Sequence, residues 1–401
     1  MPFLKVLNLN EFEIKTKKLD FISFETHEEM KRSQLHGDEI LYTMAGTIGI
    51  AFDYNKKFEQ ANINQAIAKI KLFEPSLNKI IVYLLNSKIC QLQAKRFLTV
   101  SAQPNINFEQ IKSIKIPLPP LKIQNTIIQI MDNAYKVKKE NEQKAKELLN
   151  SIDIYLLDKL DITLPKEEKV VSFKVSSSDI LGSRFDPNYH KVYYKELEDS
   201  LNSGKYGIIK LGNIANDIAS GSTPKSGGND YLSNGNIYFL RLVNLDNDLT
   251  INTTKALFIK EKIHNGMLKR SQLKKGDLLF GIAGSIGKMA IVDLDIQANI
   301  NQAIALIRFK DIVNNLFIAF ILDSIFTKLQ IKHLQRPVAQ PNLNTTELKS
   351  IKIPLPPLDI QNEIASHIQS LRDEAKFLQK EAKEVLKFAK NEVESIILGK
   401  V

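Results

Sequence analysis

Two stretches of this chain, Ile111-Lys-Ser-Ile-Lys-Ile-Pro-Leu-Pro-Pro-Leu121 and Leu348-Lys-Ser-Ile-Lys-Ile-Pro-Leu-Pro-Pro-Leu358, differ in a single residue and lie 237 positions apart. A near-verbatim repeat at that distance requires the same local structure to be built twice. In each copy a short β-branched run, 114–116 and 351–353, reads as a strand. The prolines that follow must leave it, because proline lacks the ladder N–H and fixes φ. A long segment of helical periodicity comes next, so the string marks a strand-to-helix joint. Its expected joint residues are Pro117, Pro119, Pro120 and Gln124 in the first copy and Pro354, Pro356, Pro357 and Gln361 in the second.

Further strings return at the same distance. Ala61-Asn-Ile-Asn-Gln-Ala-Ile-Ala68 recurs as Ala298-Asn-Ile-Asn-Gln-Ala-Ile-Ala305, and Ala102-Gln-Pro-Asn-Ile-Asn107 as Ala339-Gln-Pro-Asn-Leu-Asn344. Gly37-Asp38 with Gly46-Thr-Ile-Gly49 answers Gly276-Asp277 with Gly284-Ser-Ile-Gly287, slightly out of step, and Phe3-Leu-Lys-Val-Leu-Asn-Leu9 echoes Phe239-Leu-Arg-Leu-Val-Asn-Leu245. Copies this long are duplicated domains rather than turns of a solenoid. They are unequal at their starts. Ser183-Arg-Phe-Asp-Pro-Asn-Tyr-His190, Leu211-Gly-Asn-Ile214 and Gly221-Ser-Thr-Pro-Lys-Ser-Gly-Gly228 precede the second copy's Phe239 and have no counterpart in the first. The first module therefore reads as truncated at its N-terminus, either because Met1 is not the natural start or because the protein works that way.

Within each module, apolar runs at 237–245, 277–282, 290–292 and 303–309 read as short strands between Gly, Asn and Asp turns. One helix, 77–93 or 315–331, interrupts them. The segment after each joint has the opposite character. From Ile364, apolar or small residues at 368, 371, 375, 378, 382, 385, 389, 393 and 396 alternate steps of three and four. That is a heptad seam wanting a partner helix. Its counterpart carries Ile127, Ile130, Ala134, Val137, Leu148, Ile152 and Tyr155, weakened at Asn141 and Lys144. Each helix of roughly forty residues extends about 60 Å, and the two seams are expected to pack antiparallel. The fold class is thus α+β: two duplicated globular domains, 1–116 and 176–353, separated by two long coiled-coil-like helices, with the first helix and its linker at 117–175 and the second at 354–401.

Composition narrows the function. Lys and Arg number 55 against 45 Asp and Glu, a net charge of +10 that favours a polyanionic partner. The single cysteine, Cys90, has no partner for a disulfide and no zinc-ligand spacing around it. No apolar run is long enough to span a bilayer, so no membrane partner is expected and a cytoplasmic location fits. Catalytic motifs are not matched. Asp186-Pro-Asn-Tyr189 resembles the Asp-Pro-Pro-Tyr signature of amino-methyltransferases but lacks the second proline, and reads better as a turn into a helix. Gly281-Ile-Ala-Gly-Ser-Ile-Gly-Lys288 departs from phosphate-loop spacing. His27, His36, His190, His264, His333 and His367 show neither metal-ligand nor triad spacing. No catalytic residue and no metal ligand is proposed.

What recurs near the loops is hydrogen-bond donors of the kind that clamp phosphates and read base edges. The first copy offers Lys5, Asn8, Lys95, Arg96, Gln103 and Asn105; the second offers Ser222, Thr223, Lys225, Arg241, Asn244, Lys274, Lys275, Arg336, Gln340 and Asn342.

The string Pro-Leu-Pro-Pro-Leu-x-x-Gln ahead of a long helix, present twice after Gly-x-Ile-Gly and Asn-Gln blocks, resembles the specificity (S) subunit of type I restriction-modification systems. Pro117 to Gln124 and Pro354 to Gln361 carry the likeness most specifically. The resemblance implies two target-recognition domains reading the halves of a split sequence in double-stranded DNA. It implies a helical spacer between them, and docking of two methyltransferase (M) subunits and, through them, restriction (R) subunits. It also implies a chain that is not itself an enzyme: S-adenosylmethionine, ATP and Mg are expected on the partner subunits and no cofactor on this one. Three alternatives remain: the recognition half of a fused restriction-methyltransferase enzyme, a truncated S subunit acting with a second chain, and a coiled-coil scaffold that does not bind DNA.

Overall fold

The computed structural model describes residues 1–98, 105–167, 172–181, 184–224, 230–293, 295–336 and 341–400. It resolves into two compact units, one made of Met1–Lys146 and Ala375–Val401 and the other of Glu147–Glu374. The long helices are Leu121–Leu160 and Leu358–Ile397, of 40 residues each, so both units take part of each helix.

In the first unit Pro2–Leu4 lies between Asp20–Phe21 and Ala61–Ile63, with Gln34–Leu35 beyond, and a second sheet has the order Ala51–Asp53, Glu39–Thr43, Ile67–Lys71. The central strand Glu39–Thr43 is buried on both faces: Ile40 and Tyr42 face the core against the helices, and Leu41 faces the core under the first sheet. Ile127, Met131 and Ala134 share the former core with Ala389 and Val393. The seam thus joins the two helices and holds the module as well. The buried Asn141 amide donates to the Glu381 carboxylate at 2.7 Å.

The second unit repeats this plan with additions. Ile237–Leu240 pairs in parallel with Gln297–Ile300 and antiparallel with Leu257–Ile259, which also pairs with Tyr231–Leu232. The other sheet runs Met289–Ile291, Leu278–Gly281, Ile304–Phe309, Ala215–Ser220, one strand more than in the first unit. Leu156 and Leu160 pack with Ile364, Ala365 and Ile368. Lys159 meets Glu363 at 2.7 Å and Tyr155 lies on His367 at 4.2 Å, so residue numbers rise along one helix as they fall along the other and the pair is antiparallel.

Three local readings are corrected. The expected helices at 77–93 and 315–331 are each broken into two, Asn78–Leu85 with Lys88–Arg96 and Asn315–Asp323 with Ile325–Leu334. Ser324 ends one helix and caps the next through its hydroxyl, and the Asn86 side chain bonds both backbone groups of Ala51 at the first break. The strand expected at 114–116 does not form, whereas its counterpart Lys352–Pro354 pairs with Ile208–Lys210. Finally, equivalent registers, Tyr42 opposite Ala68 and Phe280 opposite Ala305, align the buried Glu39 with the buried Asp277, rather than Asp38.

The joints share one device. The Gln124 amide donates to the Pro119 carbonyl at 2.8 Å and the Gln361 amide to the Pro356 carbonyl at 2.9 Å. A glutamine in the first helical turn thereby satisfies a carbonyl that proline-rich backbone leaves without a ladder partner.

Candidate nucleic-acid interface

In the second unit the backbone draws four loops together. Asn301 N donates to Leu240 O at 3.1 Å, Ile282 N to Ala303 O at 2.8 Å, Gly221 N to Ile304 O at 3.1 Å and Leu343 N to Ile282 O at 2.8 Å. Ala283 bridges to Asn342. The glycine loop turns at Gly284 and Gly287, with φ of +75° and +86°, values that favour glycine. Its Lys288 ammonium donates to Leu242 O at 3.0 Å, so this lysine acts as a tether to the backbone. Exposed around the loops stand Ser222, Thr223, Gln302 and Asn342, with the Thr223 hydroxyl bonded to the Gln302 side chain.

The first unit rebuilds the arrangement. Asn64 N donates to Leu4 O at 3.0 Å, Met44 N to Ala66 O at 2.8 Å and Ile106 N to Met44 O at 3.0 Å, while Ala45 bridges to Asn105. Gln65 and Asn105 are exposed here. The duplicated Asn-Gln pair is what the choice of candidates from the sequence missed. Asn64 and Asn301 each hold a buried side-chain oxygen without a hydrogen-bond partner among the described residues, and Gln65 and Gln302 project beside them. The signal was present, because both residues stand in a block repeated without change.

Other candidates fall elsewhere. Asn8 and Asn244 are fully buried: their oxygens accept from Lys5 N and Arg241 N and their amides donate to Lys15 O and Lys18 O, or to Asn252 O. They shape a turn and are withdrawn from any ligand, which corrects their assignment as DNA contacts. Lys5 is paired with Asp20, and the Arg241 guanidinium donates to Lys255 O at 3.1 Å. Lys95, Arg96 and Arg336 are exposed at or just past helix C-termini. Lys274 and Lys275 line a separate groove of about 780 Å³ with Lys310, Asn216 and Asn315, in which Arg308 is bound to Asp277 at 2.6 Å. Gln103, Lys225 and Gln340 lie outside the described residues.

The Asp186-Pro-Asn-Tyr189 string is a clamp. Asp186 pairs with Arg184 at 2.6 Å and accepts from Tyr189 N at 3.0 Å. His333 is sandwiched between Tyr189 and Tyr194, at 4.4 and 4.3 Å, and burial pushes its imidazole below the ordinary value. A second buried network is duplicated: His27 bonds Asn62 as His264 bonds Asn299, each at 2.5 Å, and both asparagines donate onward to a serine, Ser33 or Ser271. These histidines are internal struts that pin the Asn-Ile-Asn-Gln strand. Among the described residues no group of His, Cys, Asp and Glu forms a metal-ligand set, and no helix is long and apolar enough to cross a membrane.

The family model for the type I restriction modification DNA specificity domain matches residues 1–151 and 203–387. The chain belongs to this family. It is 26% identical over 370 residues to the type I restriction enzyme EcoBI specificity subunit of Escherichia coli, covering 87% of this chain and 71% of that one. Over 419 residues it is 25% identical to the putative type I restriction enzyme MjaX specificity subunit of Methanocaldococcus jannaschii, covering 100% of this chain and 87% of the relative. A solved chain from work on complex assembly and conformational transition of the type I R-M system matches with a TM-score of 0.57 at 15% identity, over 99% of this chain and 90% of that one. That agreement is one of fold. The family fixes the role as recognition of a DNA target.

Proposed function

We propose that this specificity subunit reads a bipartite DNA target, one half by each module, and is catalytically silent by itself. The observation that carries this reading is the duplicated loop neighbourhood: Gln65 with Asn105 in one unit, and Gln302 with Asn342, Ser222 and Thr223 in the other. Amide and hydroxyl side chains on turns and loops that backbone hydrogen bonds draw together suit direct readout, since a glutamine or asparagine can bond an adenine edge with two hydrogen bonds. The +10 net charge supplies attraction to phosphate that is independent of sequence.

Methylation and cleavage are assigned to two methyltransferase subunits and to restriction subunits in the cytoplasm, with S-adenosylmethionine, ATP and Mg bound there. The helices of 40 residues act as the ruler. Removing one heptad from each, 382–388 and the facing 134–140, is expected to shorten the unread gap by about three base pairs, since seven residues rise about 10 Å. The test is binding of duplex DNA by the chain reconstituted with its methyltransferase partner across a salt series. Steep loss of affinity with salt and preference for one sequence are expected; salt-insensitive binding, or modification of DNA by the purified chain alone, contradicts the reading.

A further inference from the structure

In each unit a short turn leaves the strand that runs parallel to the Asn-Ile-Asn-Gln strand, and it does so at the loop end. Leu4 is the register partner of Ile63 and Leu240 that of Ile300, so the turns Val6–Asn8 and Leu242–Asn244 begin beside Asn64-Gln65 and Asn301-Gln302. Neighbouring strands lie about 5 Å apart. Two residues past that shared rung stands Gln65 or Gln302, and three residues past it on the adjoining strand stands Leu7 or Val243.

Both turns divide their residues in the same way. The first packs inward over the glycine loop: a Cβ on Gly46 would lie 3.9 Å from Val6 Cγ1, and one on Gly284 would lie 3.4 Å from Leu242 Cδ1. The third is the fully buried Asn8 or Asn244, whose carbonyl also accepts from Lys15 N or Asn252 N, each at 2.7 Å. The middle residue faces out, Leu7 being 56% exposed and Val243 58%. A lone exposed apolar side chain needs no explanation. Here the fold builds one twice, at the same place, on a turn fixed from within. The extra strand Ala215–Ser220 of the second unit leaves Val243 as open as Leu7.

An exposed leucine or valine offers nothing to a phosphate, unlike Lys5 and Arg241 two residues earlier. The major groove does hold a partner for it, because thymine presents a methyl group there that apolar side chains contact. We infer that Leu7 and Val243 are specificity-determining residues that meet thymine 5-methyl groups, one in each half of the target, beside the base edges met by Gln65 and Gln302. This deepens the proposed reading of DNA and rests on it.

The test uses the chain reconstituted with its methyltransferase partner and a duplex of the target found by methylation mapping. Deoxyuridine replaces thymidine at one position at a time, which removes only the methyl group. For the unaltered chain, affinity is expected to fall roughly fourfold at a position in each half, the worth of one buried methyl group. Val243→Ala, at an exposed site that folding tolerates, should bind the thymine and uracil duplexes of one half equally and keep its response in the other half. Leu7→Ala should do the converse. The inference is overturned if neither variant loses its response, if a variant binds thymine and uracil duplexes more weakly to the same degree, or if a target half contains no thymine. Continued preference for the target over an unrelated duplex then leaves the DNA reading standing, whereas equal binding to both removes that reading and the inference together.

Discussion

Among the described residues, the strand Ile304–Phe309 has neighbours on both sides and Ile67–Lys71 on one, although both come from the same repeated block. The consequences run outward from that edge. Ile307 is fully buried and Ile70 only half-buried, and Leu306, at the centre of a core, is replaced by Lys69, whose ammonium donates to Gln34 O at 2.8 Å. The buried carboxylate on the central strand survives in both copies. In the second it holds Arg308, whereas in the first Glu39 accepts from His36 N and Gly37 N and Lys71 turns to Asp38. A sheet edge thus decides how much of a module's core is dry and which charges are paired inside it.

The comparison can be broken by making the second copy resemble the first. Ile214→Ala removes a fully buried side chain just ahead of the strand Ala215–Ser220 and is expected to destabilise the second unit by about 2–5 kcal/mol. Amide exchange at 304–309 should rise toward that of 67–71, which thermal melting with exchange measurements would show. Asp277→Ala removes a carboxylate 1% exposed that accepts two hydrogen bonds from the Arg308 guanidinium, leaving that group its bond to Gln272 O, at a cost of about 3 kcal/mol. Lys71→Ala at the corresponding place is expected to cost far less, because its pair with Asp38 is exposed. Chemical denaturation of the two variants measures the contrast.

For DNA, Gln302→Ala and Gln65→Ala are each expected to relax the preference by about 1–3 kcal/mol at one base pair, in different halves of the target. Competition binding with single-base variants reports which half each governs. The smallest effect is a pH dependence. The His333 imidazole is held below its ordinary value by burial, so the unfolded chain takes up a proton first as pH falls. Stability is therefore lost from the ordinary histidine value of about 6.5 down to the lower folded value. His333→Phe keeps a ring between Tyr189 and Tyr194 without a titrating group, and should flatten the melting temperature of the second unit between pH 7.5 and about 5.5. The first copy has Arg96 at the equivalent position and should show no such loss.

Much of this was legible in the residues. The duplicated proline string located both joints, and the heptad spacing around Ala375, Ala382 and Ala389 located a seam that is buried at those positions. What failed depended on partners that a single segment does not reveal. The string at 114–116 has the composition of a strand, but its twin becomes one only because Ile208–Lys210 lies beside it. Asn8 and Asn244 have the chemistry of base readers, yet a turn closes over them, and no local pattern distinguishes an asparagine that caps backbone from one that meets a ligand. His27 and His264 are separated by the distance of the repeat, a signal that spacing within one copy does not carry.

The central claim is that one chain carries two readers built on one plan. Methylation mapping of cells carrying this chain with its methyltransferase partner tests it most directly. The expected result is a target of two short defined blocks separated by an unread gap of constant length. A single contiguous block, or two blocks at a variable distance, would contradict it.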